Sequence, residues 1–272
     1  MIRSIHHVGI AVRQLSEAYR LYRDVLGLPL VREAEIADQG VRAALLAAGD
    51  SEIELLEPLG PTTPVGRFLA RHGEGLHHVC FETPDVARDL TAMKEKGAEL
   101  IDATPRPGLA GRVGFLHPRA CAGVLVELAT IELAGSRADA RPLGAATAAL
   151  PAPPATPTSA GRLRLKRVVV GAREPRETAA VFRRLFEFPE IAMNGGPRVM
   201  LGIGRGALLI VPNAEVGGLE GMVALSMVAG EFESLVTSLK SAGTRGMLRG
   251  TGEITLEPVA THGVHLHISR YE

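Results

Sequence analysis

Residues 7–29 read HVGIAVRQLSEAYRLYRDVLGLP, and residues 167–189 read RVVVGAREPRETAAVFRRLFEFP. Each stretch begins with the apolar alternation of a strand and continues with the apolar spacing of a helix. A second pair matches in the same way without a gap: residues 75–97, GLHHVCFETPDVARDLTAMKEKG, and residues 221–243, GMVALSMVAGEFESLVTSLKSAG. The chain therefore repeats one strand–helix unit four times.

Each unit closes with an apolar strand, and two shorter strand-like runs lie between its helix and that strand. The four closing strands are IELLEP, VLVELAT, GALLIVP and GVHLHIS, at residues 53–58, 124–130, 206–212 and 263–269. The sequence therefore predicts an α+β fold of four βαβββ modules, paired two and two into domains of the same architecture.

An Ala- and Pro-rich stretch separates the two pairs of modules. It reads IELAGSRADARPLGAATAALPAPPATPTSAG and lacks sustained apolar periodicity. Such a composition is typical of an interdomain linker. We therefore predict a metal-binding first domain at residues 1–130, a linker at 131–161 and a second domain at 162–272.

Composition describes a globular protein and narrows the classes of partner. The 272 residues are 46% hydrophobic, and 30 basic residues balance 30 acidic ones. Because no basic stripe is present, nothing points to nucleic acid as a partner. No apolar run approaches the length of a membrane span, and the first residues enter a strand directly without a signal peptide. The two cysteines are too few for a disulfide framework, which favours a reducing compartment, the cytoplasm.

Four strands of the first domain each turn one side chain of a metal-ligating type away from their helix-packed face. Successive side chains of a strand point to opposite faces, so His7, Glu54, His78 and Glu127 all lie on the faces not covered by helices. With helices outside and a curved sheet inside, these side chains point into one cavity. The repetition of one His and one Glu in each module makes a shared role more probable than four unrelated surface residues.

Two imidazoles and two carboxylates suit a six-coordinate divalent ion with open positions for water or substrate. The same alternation puts His6 and His77 on the packed faces, as packing residues or as supports for the ligands. Cys80 shares a face with His78, and we interpret it as a small buried residue.

The second domain lacks this ligand set. In the alignment above, the positions of the four ligands hold Arg167, Leu208, Ala224 and His267. We therefore expect the second domain to have the same fold without a metal at the corresponding place. Its role is then structural, as a partner for the first domain, a dimer element or a lid, or it binds another ligand.

Modules with this ligand pattern resemble the vicinal oxygen chelate (glyoxalase-like) superfamily, which includes glyoxalase I, ring-cleaving dioxygenases and methylmalonyl-CoA epimerases. Residues 5–129 are most similar to the epimerases. The segments that carry this resemblance are HHVGIAV, YRDVLGLPL, EIELLEPLGPTTPVGRFLARHGEGLHHVCFET and GRVGFLHPRACAGVLVELA. The second domain resembles only the superfamily, in degenerate form.

The resemblance implies an isomerase that interconverts (2R)- and (2S)-methylmalonyl-CoA by 1,1-proton transfer through a metal-stabilised enolate. Its substrate would be an acyl-CoA thioester of propionate metabolism, its metal Co²⁺ or else Mn²⁺, Ni²⁺, Zn²⁺ or Mg²⁺, and its assembly a homodimer. The metal ligands would be His7, Glu54, His78 and Glu127. Epimerisation needs bases on two faces of the carbon, and Glu127 and Glu54 are the candidates. Ala43 stands where some relatives carry a glutamate base.

Other members of the superfamily provide the alternatives. An ethylmalonyl-CoA epimerase differs by one methylene, and a glyoxalase I-type lyase shares the ligand set. An Fe(II) dioxygenase uses two histidines and one carboxylate, which leaves Glu54 without a purpose. The aromatic content of 4%, without tryptophan, also provides little to hold an aromatic ring. A non-catalytic ligand-binding protein of this superfamily usually lacks the metal ligands.

Overall fold

The computed structural model describes residues 2–131 and 163–271, which form two eight-stranded sheets. Four βαβββ modules follow one another along the chain, two to each sheet, so the predicted α+β architecture is confirmed. The predicted linker, residues 131–161, lies outside the described residues except for Ile131, which ends a strand. Within the described ranges, none of the helices has the length and apolar character needed to cross a membrane.

The first sheet is built from residues before the linker. Its elements are β1 (Ser4–Ala11), α1 (Leu15–Tyr19) with a π-helical continuation (Arg20–Val25), β2 (Leu30–Ile36), β3 (Val41–Ala48), β4 (Ser51–Pro58), α2 (Pro64–His72), β5 (Gly75–Glu82), α3 (Val86–Glu95), β6 (Arg106–Gly108), β7 (Gly111–Leu116) and β8 (Val126–Ile131).

The second sheet repeats this order without a counterpart of α2. Its elements are β9 (Leu163–Ala172), α4 (Pro175–Phe186), β10 (Glu190–Ile191), β11 (Val199–Ile203), β12 (Gly206–Pro212), β13 (Gly221–Ala229), α5 (Phe232–Ser241), β14 (Gly246–Arg249), β15 (Glu253–Leu256) and β16 (His265–Ser269).

The strand order places the two modules of a domain side by side. The first sheet runs β2-β3-β4-β1-β5-β8-β7-β6, with β1 and β5 antiparallel at its centre. Its two edges meet, because Arg32 on β2 donates from Nη1 to the carbonyl of Leu109 at 2.8 Å. Gln39, in the β2–β3 turn, donates from Nε2 to the carbonyl of Pro107 at 3.0 Å. The sheet is thus curled around a concave face with its rims bridged.

Helix α2 joins the two modules of the first domain and was not predicted from the apolar pattern. Its start has a clear local cause: the Thr63 hydroxyl accepts a hydrogen bond from Gly66 N–H, and Pro64 occupies the first turn, where its missing N–H is harmless. Phe68 on this helix packs against the ring of His77, with 4.9 Å between ring centroids. The helix therefore borders the concave face near β5.

The two domains meet through reciprocal glycine contacts. In the alignment of the two halves, Gly75 corresponds to Gly221 and Gly123 to Gly263. A Cβ atom on Gly75 would lie 3.4 Å from the Gly263 carbonyl oxygen, and one on Gly221 would lie 3.3 Å from that of Gly123. Each contact is the image of the other, so the interface has the isologous pattern of a twofold dimer within one chain.

An aromatic cluster and buried hydrogen bonds complete this interface. The ring of Phe81 lies 5.3 Å from that of Phe186 and 5.2 Å from that of Phe188, centroid to centroid. The buried Tyr22 hydroxyl donates to the Thr261 carbonyl at 3.0 Å. The interface therefore combines an apolar cluster, on the side of the sheet opposite the concave face, with polar contacts such as Lys96–Glu187 and Arg205–Asp50.

Candidate metal centre

The pairing register of adjacent strands brings the four predicted ligands close together. Glu54 on β4 and His78 on β5 both stand opposite Gly9 of β1. His7 on β1 and Glu127 on β8 both stand opposite Cys80 of β5. The four side chains therefore lie in one group on the concave face, and all four are buried.

The ligand-type atoms converge on one point. Nε2 of His7 lies 3.0 Å from Nε2 of His78, 2.9 Å from Oε2 of Glu127 and 3.4 Å from Oε2 of Glu54. Nε2 of His78 lies 3.2 Å from Oε2 of Glu127 and 3.3 Å from Oε2 of Glu54. Both modules therefore contribute one nitrogen and one oxygen to the same small space.

These separations fit a divalent cation. Two donors about 2.1 Å from one ion and at right angles to each other are about 3.0 Å apart. Oε2 of Glu127 is buried and receives no hydrogen bond of acceptable geometry from the described residues, although two imidazole nitrogens are close to it. A buried carboxylate oxygen without a hydrogen bond is costly unless a cation compensates it. The donor set fits such an ion, and the assignment of these residues as ligands stays a prediction.

Electrostatics keeps the carboxylates ionised. Burial favours the neutral form of Glu54, but the imidazoles of His7 and His78 overcome it and lower the pKa of Glu54 to about 2. The same two rings hold the pKa of Glu127 well below its usual range. Burial opposes the charge on His7, whereas Cys80 and the two carboxylates raise its pKa above the ordinary value. The imidazoles and the carboxylates therefore stabilise each other's charged forms.

Gly9 makes room for the ring of His78. A Cβ atom at Gly9 would lie 2.3 Å from Cε1 and 2.4 Å from Nδ1 of His78. In the second domain, Val169 holds the aligned position and faces Ala224 instead of a histidine. The absence of a side chain at residue 9 is therefore part of the site.

Two β-bulges overturn the predicted orientation of His6 and His77. His6 is an extra residue of β1 between Ile5 and His7, and His77 is an extra residue of β5 opposite the step from Gly9 to Ile10. Because a bulge breaks the alternation, both rings lie beside the ligand histidines instead of on the helix-packed face. Burial and the adjacent imidazole lower the pKa of His6 to about 4 and that of His77 to about 3. Both rings are therefore neutral at pH 7.

A cavity of about 230 Å³ opens onto the group of four. Glu54, His78 and Glu127 line its inner end. The remaining wall is mostly apolar and includes a few polar side chains: Ile36, Val41, Leu56, Pro64, Val65, Ile101, Gly108, Leu109, Phe115, Leu125, Asp38, Gln39, His77 and Arg106. A small, largely apolar cavity with a cluster of ionisable groups at one end is the usual form of a ligand site.

Arg106 and Phe115 are cavity residues that the sequence analysis did not single out. The Arg106 guanidinium carbon lies 5.4 Å from the centroid of the Phe115 ring, and Nε donates to Asp102 at 3.2 Å. The ring of Phe115 in turn lies 5.4 Å from that of His78. The short strands β6 and β7 supply both residues, and a pattern of three to six residues gives little indication of which face lines a cavity.

Ala43, where some relatives carry a glutamate, lies in a buried apolar cluster. Its neighbours there are Ala11, Val41, Leu45, Leu56, Val65 and Leu109. The cluster forms the β3–β4 side of the concave face.

The second domain has a different set of side chains at the corresponding place. His267 contacts Thr255 at 3.2 Å and stands 3.9 Å from Glu253. Throughout the described residues, groups of three or more His, Cys, Asp or Glu side chains close enough to share an ion occur only in the first domain. One group contains His7, Glu54 and His78, and the other contains His6, His7 and Cys80.

Comparison with known proteins agrees with this fold. Residues 6–115 match the model of the Glyoxalase/Bleomycin resistance protein/Dioxygenase superfamily. The chain belongs to this superfamily.

Three relatives show which proteins of this superfamily the chain resembles. The chain is 39% identical to the uncharacterized protein YqjC of Bacillus subtilis over 46% of this chain and 89% of the relative. It is 37% identical to an ethylmalonyl-CoA/methylmalonyl-CoA epimerase of Cereibacter sphaeroides over 47% of this chain and 98% of the relative. It is 36% identical to the mitochondrial methylmalonyl-CoA epimerase of Mus musculus over 46% of this chain and 71% of the relative. This homology confirms the expectation of an isomerase of the epimerase type.

Proposed function

We propose that the first domain is a metal-dependent epimerase that interconverts the two C2 epimers of methylmalonyl-CoA. The observation that carries this proposal is the convergence of two imidazoles and two carboxylates at the inner end of an apolar cavity. The epimerase relatives support the same reaction. In this proposal His7, Glu54, His78 and Glu127 hold the ion.

Carboxylates from the two modules are the proposed proton-transfer groups. When bound, a divalent ion would polarise the thioester carbonyl and stabilise the negative charge that develops at C2. Glu127 removes the C2 proton on one face, and Glu54, on a strand of the other module, delivers a proton that it has taken from solvent to the opposite face; Glu127 then releases its proton to solvent. Their lowered pKa values make the ionised, proton-accepting form the resting form of each group, so each holds a proton only during turnover. Because they are weak bases, the polarised carbonyl has to acidify the carbon.

The cavity wall supplies binding and exclusion of water. Its apolar side chains suit the 2-alkyl group, and a dry site strengthens the interactions of the charged groups. Arg106 places a guanidinium among the lining residues, which suits the anionic groups of an acyl-CoA. An acyl-CoA thioester of propionate metabolism is therefore the proposed substrate, and Co²⁺ is the proposed metal.

Proton exchange at C2 tests this function directly. The full-length protein with Co²⁺ is incubated in deuterated water with (2R)- or (2S)-methylmalonyl-CoA, and deuterium at C2 is followed by mass spectrometry together with the epimer ratio. We expect both epimers to converge to one mixture carrying deuterium. Turnover of the methylglyoxal–glutathione hemithioacetal or oxygen uptake with a catechol, without C2 exchange, would instead show a lyase or a dioxygenase.

A glutamate variant tests the proposed base. Glu127→Gln removes the carboxylate, and we expect C2 exchange to fall at least about 10²-fold. Glu35→Gln is the matched control, because Glu35 is exposed on β2. Exchange at the normal rate in Glu127→Gln contradicts the role of Glu127.

Ethylmalonyl-CoA is a second candidate substrate, favoured by the dual name of the Cereibacter sphaeroides relative. One methylene in an apolar pocket changes discrimination by about 1–3 kcal/mol. We expect kcat/KM to be measurable for both thioesters. The ratio of the two values identifies the preferred substrate.

We infer that the second domain, residues 162–272, is a structural partner of the first. Its aligned positions lack the ligand set, and its contacts with the first domain repeat in reciprocal pairs. The division into residues 1–130, 131–161 and 162–272 follows from the same repeat.

A further inference from the structure

Each candidate ligand histidine has a second histidine at its other nitrogen. Nε2 of His7 and Nε2 of His78 face the centre, 3.0 Å from each other. Nδ1 of His7 lies 2.8 Å from Nδ1 of His6, and Nδ1 of His78 lies 3.1 Å from Nδ1 of His77. The two modules therefore repeat the same pair of imidazoles.

Hydrogen-bond chemistry assigns the roles within each pair. A neutral imidazole that offers the Nε2 lone pair to a cation carries its proton on Nδ1. Nδ1–H of His7 and of His78 can then only donate, so Nδ1 of the adjacent His6 or His77 has to accept. The accepting ring carries its own proton on Nε2. We call His7 and His78 the inner rings and His6 and His77 the outer rings. The tautomer of each outer ring therefore selects the ligating tautomer of the inner ring beside it.

A carboxylate stands behind one of the outer rings. Nε2 of His6 lies 3.8 Å from Oε2 of Glu52, which pairs with His7 in the β1–β4 register. That oxygen is buried and has no hydrogen bond from the described residues. It is an acceptor facing the N–H that the assignment gives to His6. On the other side, His77 is held by the ring of Phe68.

The second domain shows that the fold does not require histidine at these positions. It has bulges at the same two points, where the extra residues are Lys166 and Val223. The ligand positions beside them hold Arg167 and Ala224. Histidine at the bulges therefore occurs in the domain that carries the candidate ligands.

We propose that His6 and His77 are positioning residues that fix the tautomer and ring orientation of His7 and His78 for the cation. This proposal rests on the proposed metal site but not on the identity of the substrate. Partners of this kind on ligand histidines typically change metal affinity about 10–100-fold when they are removed.

Isosteric and apolar substitutions in the full-length protein test the proposal. Asn keeps an acceptor oxygen close to the position of Nδ1, whereas Leu removes it. We expect His6→Leu and His77→Leu to bind Co²⁺ about 10–100-fold more weakly by calorimetry, and His6→Asn and His77→Asn to stay within a few-fold of the parent. His265→Leu, at an exposed histidine of the second domain, is the matched control. Equal losses for Asn and Leu at a position overturn the proposal there.

Nitrogen NMR of the parent protein gives a readout that needs no variant to fold. With Zn²⁺ bound, we expect protons on Nδ1 of His7 and His78 and on Nε2 of His6 and His77. A proton on Nδ1 of either outer ring, or failure to bind any divalent ion, overturns the proposal. Metal binding and C2 exchange are measured separately. A protein that binds metal with these tautomers but does not exchange the C2 proton refutes the proposed epimerase activity alone.

Discussion

Because Gly9 has no side chain, the His78 ring can reach the centre of the candidate metal site. A substitution at Gly9 therefore tests the site without changing the fold. In Gly9→Ala the new methyl group would collide with Cε1 and Nδ1 of His78, and the ring has to turn away. We expect Co²⁺ affinity to fall at least about tenfold, as when a ligand loses its orientation, while circular dichroism and thermal unfolding change little. Calorimetric titration measures the affinity.

Gly60→Ala is the control for this substitution, because nothing lies within 4 Å of the added methyl group. It should bind Co²⁺ like the parent. If Gly9→Ala binds Co²⁺ as tightly as Gly60→Ala, then His78 does not need its present ring position.

Strand alternation predicted where the four candidate ligands lie, because each follows a regular apolar pattern over several residues. It failed at His6 and His77, one residue away from a ligand in each case. A bulge adds one residue to one strand of a pair. The apolar pattern of a single strand does not show at which residue its pairing with the neighbouring strand shifts. Glu52 was missed for a related reason, since its relation to His6 exists only across the β1–β4 pair.

The bridge between the two edges of the first sheet gives a prediction for its hairpins. Arg32 and Gln39 each make one hydrogen bond to the β6–β7 hairpin, and such bonds contribute about 0.5–1.5 kcal/mol each. In the double variant Arg32→Ala/Gln39→Ala we expect amide exchange at residues 106–110 to accelerate about tenfold. The KM for the thioester should rise more than kcat falls.

Arg112→Ala is the control for the bridge, because Arg112 donates to Pro105 at the foot of its own hairpin. It should leave exchange at residues 106–110 closer to that of the parent. Equal amide exchange at residues 106–110 in the double variant and the parent would show that these two hydrogen bonds do not hold the β6–β7 hairpin in place.

At the level of elements, the internal repeat was enough to predict the order of strands and helices. Four aligned copies show which apolar runs belong together. Helix α2 was not predicted because, among the described residues, it occurs once and has no repeated copy with which to align it. Its start, Thr63 followed by Pro64, was the available local signal.

The whole chain should bind one divalent ion, in the first domain. Calorimetry with Co²⁺ should give one site per chain, and His78→Leu should abolish it. At an ion concentration about 100 times Kd, binding should add about 2.7 kcal/mol to the stability of the unit that holds the ion. Removal by a chelator should therefore lower the thermal midpoint. A stoichiometry of two would contradict this prediction.

Gly263→Ala tests the interface between the domains. Gly263 has a φ of +79°, and a methyl group there would lie 1.7 Å from the Glu74 carbonyl oxygen. We expect the thermal midpoint to fall, because backbone strain of this kind alone costs about 1–3 kcal/mol and the contact with Glu74 adds to it. Differential scanning calorimetry measures the change.

Gly217→Ala isolates the contact from the backbone effect. Gly217 has a similar φ of +70°, but nothing lies within 4 Å of the added methyl group. Gly263→Ala should therefore be the less stable of the two. Equal stabilities would mean that the domains do not depend on this contact.

The reciprocal glycine contacts have a consequence for how the two halves stay together. Two separate chains joined by such an interface would part on dilution, whereas covalently connected halves meet at an effective concentration set by the connecting segment alone. The first domain thus keeps the second domain beside it at any protein concentration. The second domain therefore stays docked although only one of its four aligned positions, His267, holds a metal-ligating residue type.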